Sequence, residues 1–188
     1  AVYRQALLRE PNNPQLQLGL ALTQADAGQP DQAVIRAKAL VAAKPDDPSR
    51  RLALGYALSR AGKQYDALFE YDQAFIRAGH KPEVAREYVV ALQKARLPEP
   101  ALRLAHQRPG LIDPVTLRRL EGDLAAERVR LAELATRSEK ERYVIADRAL
   151  ADYDKLLATW TPDASAKDDV TRWRIDRMGA LKARSRTA

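Results

Sequence analysis

Apolar positions along this chain fall three and four residues apart, the spacing that gathers side chains onto one face of a helix. The clearest stripe is Ala146, Ala149, Leu150, Tyr153, Leu156 and Leu157, and a later one carries Trp173, Ile175, Met178 and Leu181. Start signals frame these stripes. Asp113-Pro114 reads as a cap followed by a first-turn proline, opening a helix to about Ala135. Ser138 with Glu141 forms a capping box, each side chain serving the other's free amide, and opens a helix to about Trp160. Pro162 to Lys167 is a polar connection, and a last helix runs from about Asp168 to Ala183.

Upstream, the pattern repeats. Pro14, Pro48 and Pro82 are spaced by 34 residues, as are Ala33, Ala67 and Ala101, and as are Gly28, Gly62 and Arg96. Each residue type has a physical task at its place. A proline in the first helical turn loses no hydrogen bond, and Asp47 ahead of Pro48 is a natural cap, with Lys81 ahead of Pro82. Gly28 and Gly62 fit a left-handed residue that ends the first helix of a pair. The three alanines fall where two helices approach most closely. Pro11 and Pro45 stop the second helices.

Thirty-four residues is the length of the tetratricopeptide unit, two antiparallel helices joined by a tight turn. The second unit matches its skeleton best, with Leu54-Gly55, Leu58, Ala67, Tyr71 and Ala74. The first keeps Leu20, Ala33 and Pro45 but has Ala21 and Ala37 for the glycine and the aromatic. The third keeps Tyr88, Leu92, Ala101 and Ala105, while Pro98, Pro100 and Pro109 shorten its second helix to about two turns. The predicted fold is all-α, a right-handed tetratricopeptide superhelix of stacked antiparallel helix pairs forming one domain. Residues 1–13 end a preceding repeat, with Tyr3, Ala6 and Pro11 at matching places. Repeats occupy 14–47, 48–81 and 82–110, an enlarged irregular pair 111–167, and the first helix of a truncated repeat 168–188. The start at Ala1, inside a helix, reads as that of an excised fragment.

Composition agrees with this picture. Of 188 residues, 46% are hydrophobic and only 6% aromatic, and Ala and Leu dominate the apolar set, which favours helices. No apolar run reaches the roughly 18 residues that span a bilayer, and no signal-peptide pattern opens the chain. The absence of cysteine excludes disulfides, thiol catalysis and thiolate metal sites. The net charge of +7 is spread along the chain and favours acidic partners at long range.

A stack of such pairs lines a concave groove with the first helix of each pair. The repeat register turns Gln15, Leu18, Leu22 and Asp26 inward from the first unit. From the second come Leu52, Tyr56, Ser59 and Arg60, and from the third Glu83, Arg86, Val90, Gln93 and Lys94. A groove with one tyrosine and mixed charges can stack a sugar ring, and Asp26, Glu83 and Glu87 are the carboxylates available to a cationic sugar. The Lys and Asn clamp that holds a peptide carboxylate in other such repeats lacks its Asn residues here.

Other chemistry is weakly supported. His80 and His106 lack acidic residues at metal-ligand spacing, so no metal or other cofactor is expected. Glu139 with Glu141, and Asp152 with Asp154, sit two apart on helices and do not converge. Arg172, Arg174 and Arg177 around Trp173 are interleaved with Asp168, Asp169 and Asp176, which argues against nucleic acid. Trp160 and Trp173 flank the polar connection and are expected to pack across it. No nucleophile–base pair or phosphate loop is visible, so no enzyme is expected.

The run Thr136 to Tyr153 (TRSEKERYVIADRALADY), with Arg174 to Arg184 (RIDRMGALKAR) downstream, resembles the PgaA-type porins that export poly-β-1,6-N-acetylglucosamine (PNAG) for bacterial biofilms. In that family a periplasmic tetratricopeptide region precedes an outer-membrane β-barrel. The resemblance implies that this chain is part of the periplasmic region, with no membrane contact of its own. It implies as partner a PgaB-like PNAG deacetylase, docked so that partly deacetylated polymer is placed near the pore. Direct binding of that polymer in the groove is the alternative, although a chain of charge +7 repels a cationic polymer on average. The repeats alone would lead to a cytosolic peptide-binding adaptor.

Overall fold

The computed structural model describes residues 2–159 and 167–186, and every regular element among them is a helix. The helices are α1 (Val2–Arg9), α2 (Pro14–Asp26), α3 (Pro30–Ala43), α4 (Pro48–Arg60), α5 (Gln64–Arg77), α6 (Pro82–Lys94), α7 (Pro98–His106), α8 (Pro114–Ala132), α9 (Glu139–Thr159) and α10 (Lys167–Ser185). The chain divides into two compact units, residues 1–95 and 96–188, the division falling inside the third repeat between α6 and α7.

In the first unit, the 34-residue landmarks take the places their chemistry requires. Pro14, Pro48 and Pro82 each begin a helix. Asn13 caps α2 by accepting from the amides of Gln15 and Leu16, and Asp47 caps α4 by accepting from Ser49. Lys81 occupies the third cap position and its side chain makes no capping bond. Gly28 and Gly62 both have φ +75°. In each turn the next amide reaches back five residues, Gln29 N–H to Gln24 O (2.9 Å) and Lys63 N–H to Leu58 O (2.9 Å). These are the bonds of a Schellman close, which a residue with a β-carbon reaches only at a cost. The turn is so short that α3 must fold back along α2, and α5 along α4.

Where the paired helices touch, size decides. Ala33 and Ala67 have no solvent exposure, and each methyl removed from such a seam is one the opposing helix can fill. Across α4 and α5, Gly55 admits the ring of Tyr71: a β-carbon there would lie 3.2 Å from two of its carbons. Arg51 and Glu70, both largely buried, join the same two helices through a 2.8 Å ion pair.

The second unit is built on longer helices. Pro98 starts α7, which is held to nine residues, as its prolines predict. Asp113 caps α8: its carboxylate accepts from the Thr116 amide (2.9 Å) and hydroxyl (2.6 Å). The predicted capping box is present, with Glu141 accepting from Ser138 N–H (2.9 Å) and Ser138 Oγ accepting from Glu141 N–H (3.3 Å). Helix α8 ends at Ala132, three residues earlier than the sequence suggests, where the amide of Leu134 turns to the carbonyl of Leu131, three residues back, and the last turn tightens.

The core here is Ala125, Ala149, Leu150, Tyr153, Leu156, Trp173 and Ala180, so the α9 stripe is buried as expected. On α10 only one side is. Trp173, Ala180 and Ala183 face the core, while Ile175, Met178 and Leu181 are exposed. They stand two residues away from Trp173 or the alanines, about 200° around a helix, so they point away from α8 and α9. Trp160 lies outside the described residues; Trp173 packs against Gly122 of α8.

Candidate functional site

Five of the groove residues predicted from the first and second repeats, Leu22, Asp26, Leu52, Tyr56 and Arg60, come together in the first unit. Asp26, in the last turn of α2, accepts a hydrogen bond from the hydroxyl of Tyr56 on α4. Arg60, one turn further along α4, places its Nε 4.0 Å from the same carboxylate and 3.4 Å from the carbonyl of Ala25. Asp26 and Arg60 are 34 residues apart. They are equivalent positions of successive repeats, and stacking brings equivalent first helices side by side.

Beside this cluster lies a hollow of about 320 Å³, lined by Leu22, Ser49, Leu52, Ala53, Tyr56, Tyr71 and Glu87. Most of the lining is apolar, with one carboxylate from α6. The bond to Asp26 holds the Tyr56 hydroxyl above the ordinary tyrosine pKa, helped by burial. Tyr71 is pushed far above it, chiefly by burial and then by the charge of Glu87. Both phenols therefore stay neutral near pH 7, as hydrogen-bonding groups rather than anions.

Leu22, Leu52, Tyr56 and Glu87 are thus brought to one hollow, with Asp26 and Arg60 adjoining. Glu83, Arg86, Val90, Gln93 and Lys94 stand on α6 outside its lining, as do Gln15 and Leu18 on α2 and Ser59 on α4. Ser49 and Tyr71 are members that register alone did not supply. Tyr71 belongs to the second helix of its pair and reaches the groove over Gly55; the glycine–aromatic pairing of the repeat was the available signal.

Three arginines of α10, Arg172, Arg177 and Arg184, are engaged by carboxylates. Arg172 lies 3.5 Å from Asp169 and 3.9 Å from Asp123, and Arg177 lies 2.6 Å from Asp154. Burial raises the carboxyl pKa of Asp123, against the opposing charge of Arg172. Such pairs lace α10 to α8 and α9 and draw these arginines away from a phosphate backbone.

Comparison with known proteins agrees with the fold and narrows the family. A tetratricopeptide repeat model matches residues 1–55. The chain is 35% identical over 185 residues, 98% of its length, to the poly-beta-1,6-N-acetyl-D-glucosamine export proteins of Escherichia coli K12 and of E. coli O157:H7. It spans 22% of the length of those relatives. Among solved structures, YrrB, described as a TPR protein with an unusual peptide-binding site, superposes with a TM-score of 0.58 at 10% identity, covering 100% of this chain and 91% of that one. A tetratricopeptide repeat protein of Parabacteroides merdae gives 0.54 at 15% identity, covering 98% and 82%. At those identities the structural likeness speaks for the fold alone. The resemblance first visible at Thr136–Tyr153 therefore extends along the chain, a tetratricopeptide repeat region similar over 98% of its length to a stretch of the poly-β-1,6-N-acetylglucosamine export proteins.

Proposed function

We propose that this chain is a periplasmic docking scaffold of a PNAG export porin, and that it performs no catalytic step. It holds a PgaB-like deacetylase, so that newly deacetylated polymer emerges near the export pore during biofilm formation. The observation that carries the reading is the similarity to the export proteins over nearly the whole chain, together with a preformed hollow on its first unit. No helix among the described residues is long and apolar enough to cross a membrane, which suits a region acting beside the membrane.

The hollow favours a protein side chain over the polymer. An interface hot spot is an apolar or aromatic anchor in a pocket of this size, ringed by polar groups. The Asp26 carboxylate, which a cationic sugar would need, already receives Tyr56 and faces Arg60. Glu87 is the carboxylate left to the hollow, and the overall charge of +7 opposes a polycation.

Titrating the chain with purified deacetylase and, separately, with partly deacetylated oligosaccharide tests this. The deacetylase is expected to bind with micromolar affinity, and Tyr56→Ala to weaken it about tenfold or more, the scale of a hot-spot truncation. No binding at high micromolar concentration removes the docking role. Oligosaccharide binding that Tyr56→Ala abolishes, with the deacetylase ignored, makes the groove a polymer site instead.

A further inference from the structure

The second unit holds a larger cavity, about 530 Å³, between the start of α7, the second half of α8, the α8–α9 turn and α9. Its floor is apolar, including Leu124, Leu131 and Ile145, and four arginines stand around it: Arg96, Arg128, Arg137 and Arg148.

The charges do not balance locally. The two carboxylates of the lining, Glu99 and Glu127, are each engaged by an arginine outside it, Arg103 at 3.7 Å and Arg130 in a close pair. Of the four lining arginines, Arg128 is paired with Asp152. Arg96, Arg137 and Arg148 form no salt bridge among the described residues. The Nε of Arg137 is moreover buried and has no hydrogen-bond acceptor among the described residues. A buried guanidinium N–H without an acceptor is costly, and a carboxylate delivered to it recovers the bond that water no longer makes.

We infer that this cavity is a docking site for an acidic segment of a partner protein, an extended stretch in which Asp or Glu alternates with apolar residues. The arginines would take the carboxylates bidentately, and the floor would take the intervening side chains. Charge complementarity selects this occupant: a cationic polymer is repelled by a lining of four arginines and two carboxylates, and a bare small anion would leave the apolar floor unused. The site lies wholly within the second unit, so it stands or falls independently of the hollow around Tyr56.

The test uses the purified chain and a fluorescein-labelled octapeptide of alternating glutamate and leucine, with its lysine-for-glutamate counterpart as control. The acidic peptide is expected to bind at low salt and to weaken as salt rises, while the lysine peptide does not bind. Arg148→Gln and Arg137→Gln should each weaken it about tenfold, the loss of one charge-assisted contact. Arg174→Gln, an exposed arginine on α10, should leave it unchanged. Binding that all three variants weaken equally is diffuse attraction to a basic chain and overturns the proposal. So does the absence of binding up to about 1 mM, and so does displacement of the peptide by equimolar inorganic phosphate, which would mark a small-anion site.

Discussion

Gly122 of α8 lies directly beneath the indole of Trp173 on α10: a β-carbon at residue 122 would fall 2.2 Å from the indole Nε1. Glycine inside a helix costs about 1 kcal/mol relative to alanine, and here contact with the largest side chain of the core makes it necessary. Trp173 is 1% exposed and hemmed in by Tyr153, Leu156 and Ala180, so it has nowhere to retreat. Gly122→Ala should therefore destabilise the second unit by about 2 kcal/mol, overpacking outweighing the propensity gain. Both tryptophans belong to that unit, so a urea titration followed by tryptophan fluorescence reads it directly. An unchanged or higher midpoint would show that the indole can shift.

Asp113 is the cap of α8, and its bonds to Thr116, the hydroxyl first, lower its carboxyl pKa. A lowered folded-state value means that the carboxylate stabilises the fold above the ordinary Asp range, and that this contribution is lost as pH falls through the lowered pKa. Asp113→Ala should cost about 1 kcal/mol at neutral pH, the usual loss for an N-cap. The difference from the parent chain should shrink in strong acid, where the parent's cap is protonated. Paired urea titrations at neutral and acidic pH measure it.

How much of this was legible beforehand depends on how far apart the partners lie in sequence. Caps and turns join residues within five positions, so Asp47, Asp113, Ser138 with Glu141, Gly28 and Gly62 could be read directly. The cluster of Asp26, Tyr56 and Arg60 was also legible, because a repeat turns a separation of 34 residues into a neighbour relation. Outside the repeat register no such rule exists. Gly122 with Trp173 and the ring of Arg96, Arg128, Arg137 and Arg148 depend on how α8, α9 and α10 pack with one another and with α7, and those three helices follow no fixed period. The outward side of α10 escaped for a related reason. Ile175, Met178 and Leu181 are as apolar as a core stripe, and only the small residues Ala180 and Ala183 mark the side that packs.

Tyr153 is fully buried, and its hydroxyl has no hydrogen-bond partner among the described residues. Burial, with the charge of Asp176 second, pushes its pKa far above that of a free tyrosine. An unsatisfied hydroxyl costs the fold its desolvation, so Tyr153→Phe should raise stability by roughly 1 kcal/mol at neutral pH. The sign of the alkaline effect follows from linkage. The folded phenol keeps its proton while the unfolded one ionises near pH 10, so stability is full below about pH 10 and falls above it. In Tyr153→Phe that fall should be shallower, with Tyr71 still contributing its share from the first unit. Unfolding midpoints at neutral pH and above pH 10 check both claims, and an unchanged alkaline slope would contradict the second.

Arg96 holds the position that Gly28 and Gly62 hold in the earlier repeats, and it does so at φ +56°. A residue with a β-carbon in the left-handed region is strained by about 1–2 kcal/mol, part of which glycine would return as extra freedom of the unfolded chain. Arg96→Gly should thus raise stability by roughly 0.5–1 kcal/mol net. The same change removes one of the three cavity arginines that no salt bridge engages among the described residues, so affinity for the acidic octapeptide should fall while stability rises. Those opposite movements distinguish a strained residue kept for its guanidinium from one that merely tolerates its turn. Measuring melting and peptide titration on the single variant decides between them, and a gain in stability with undiminished affinity would take Arg96 out of the site.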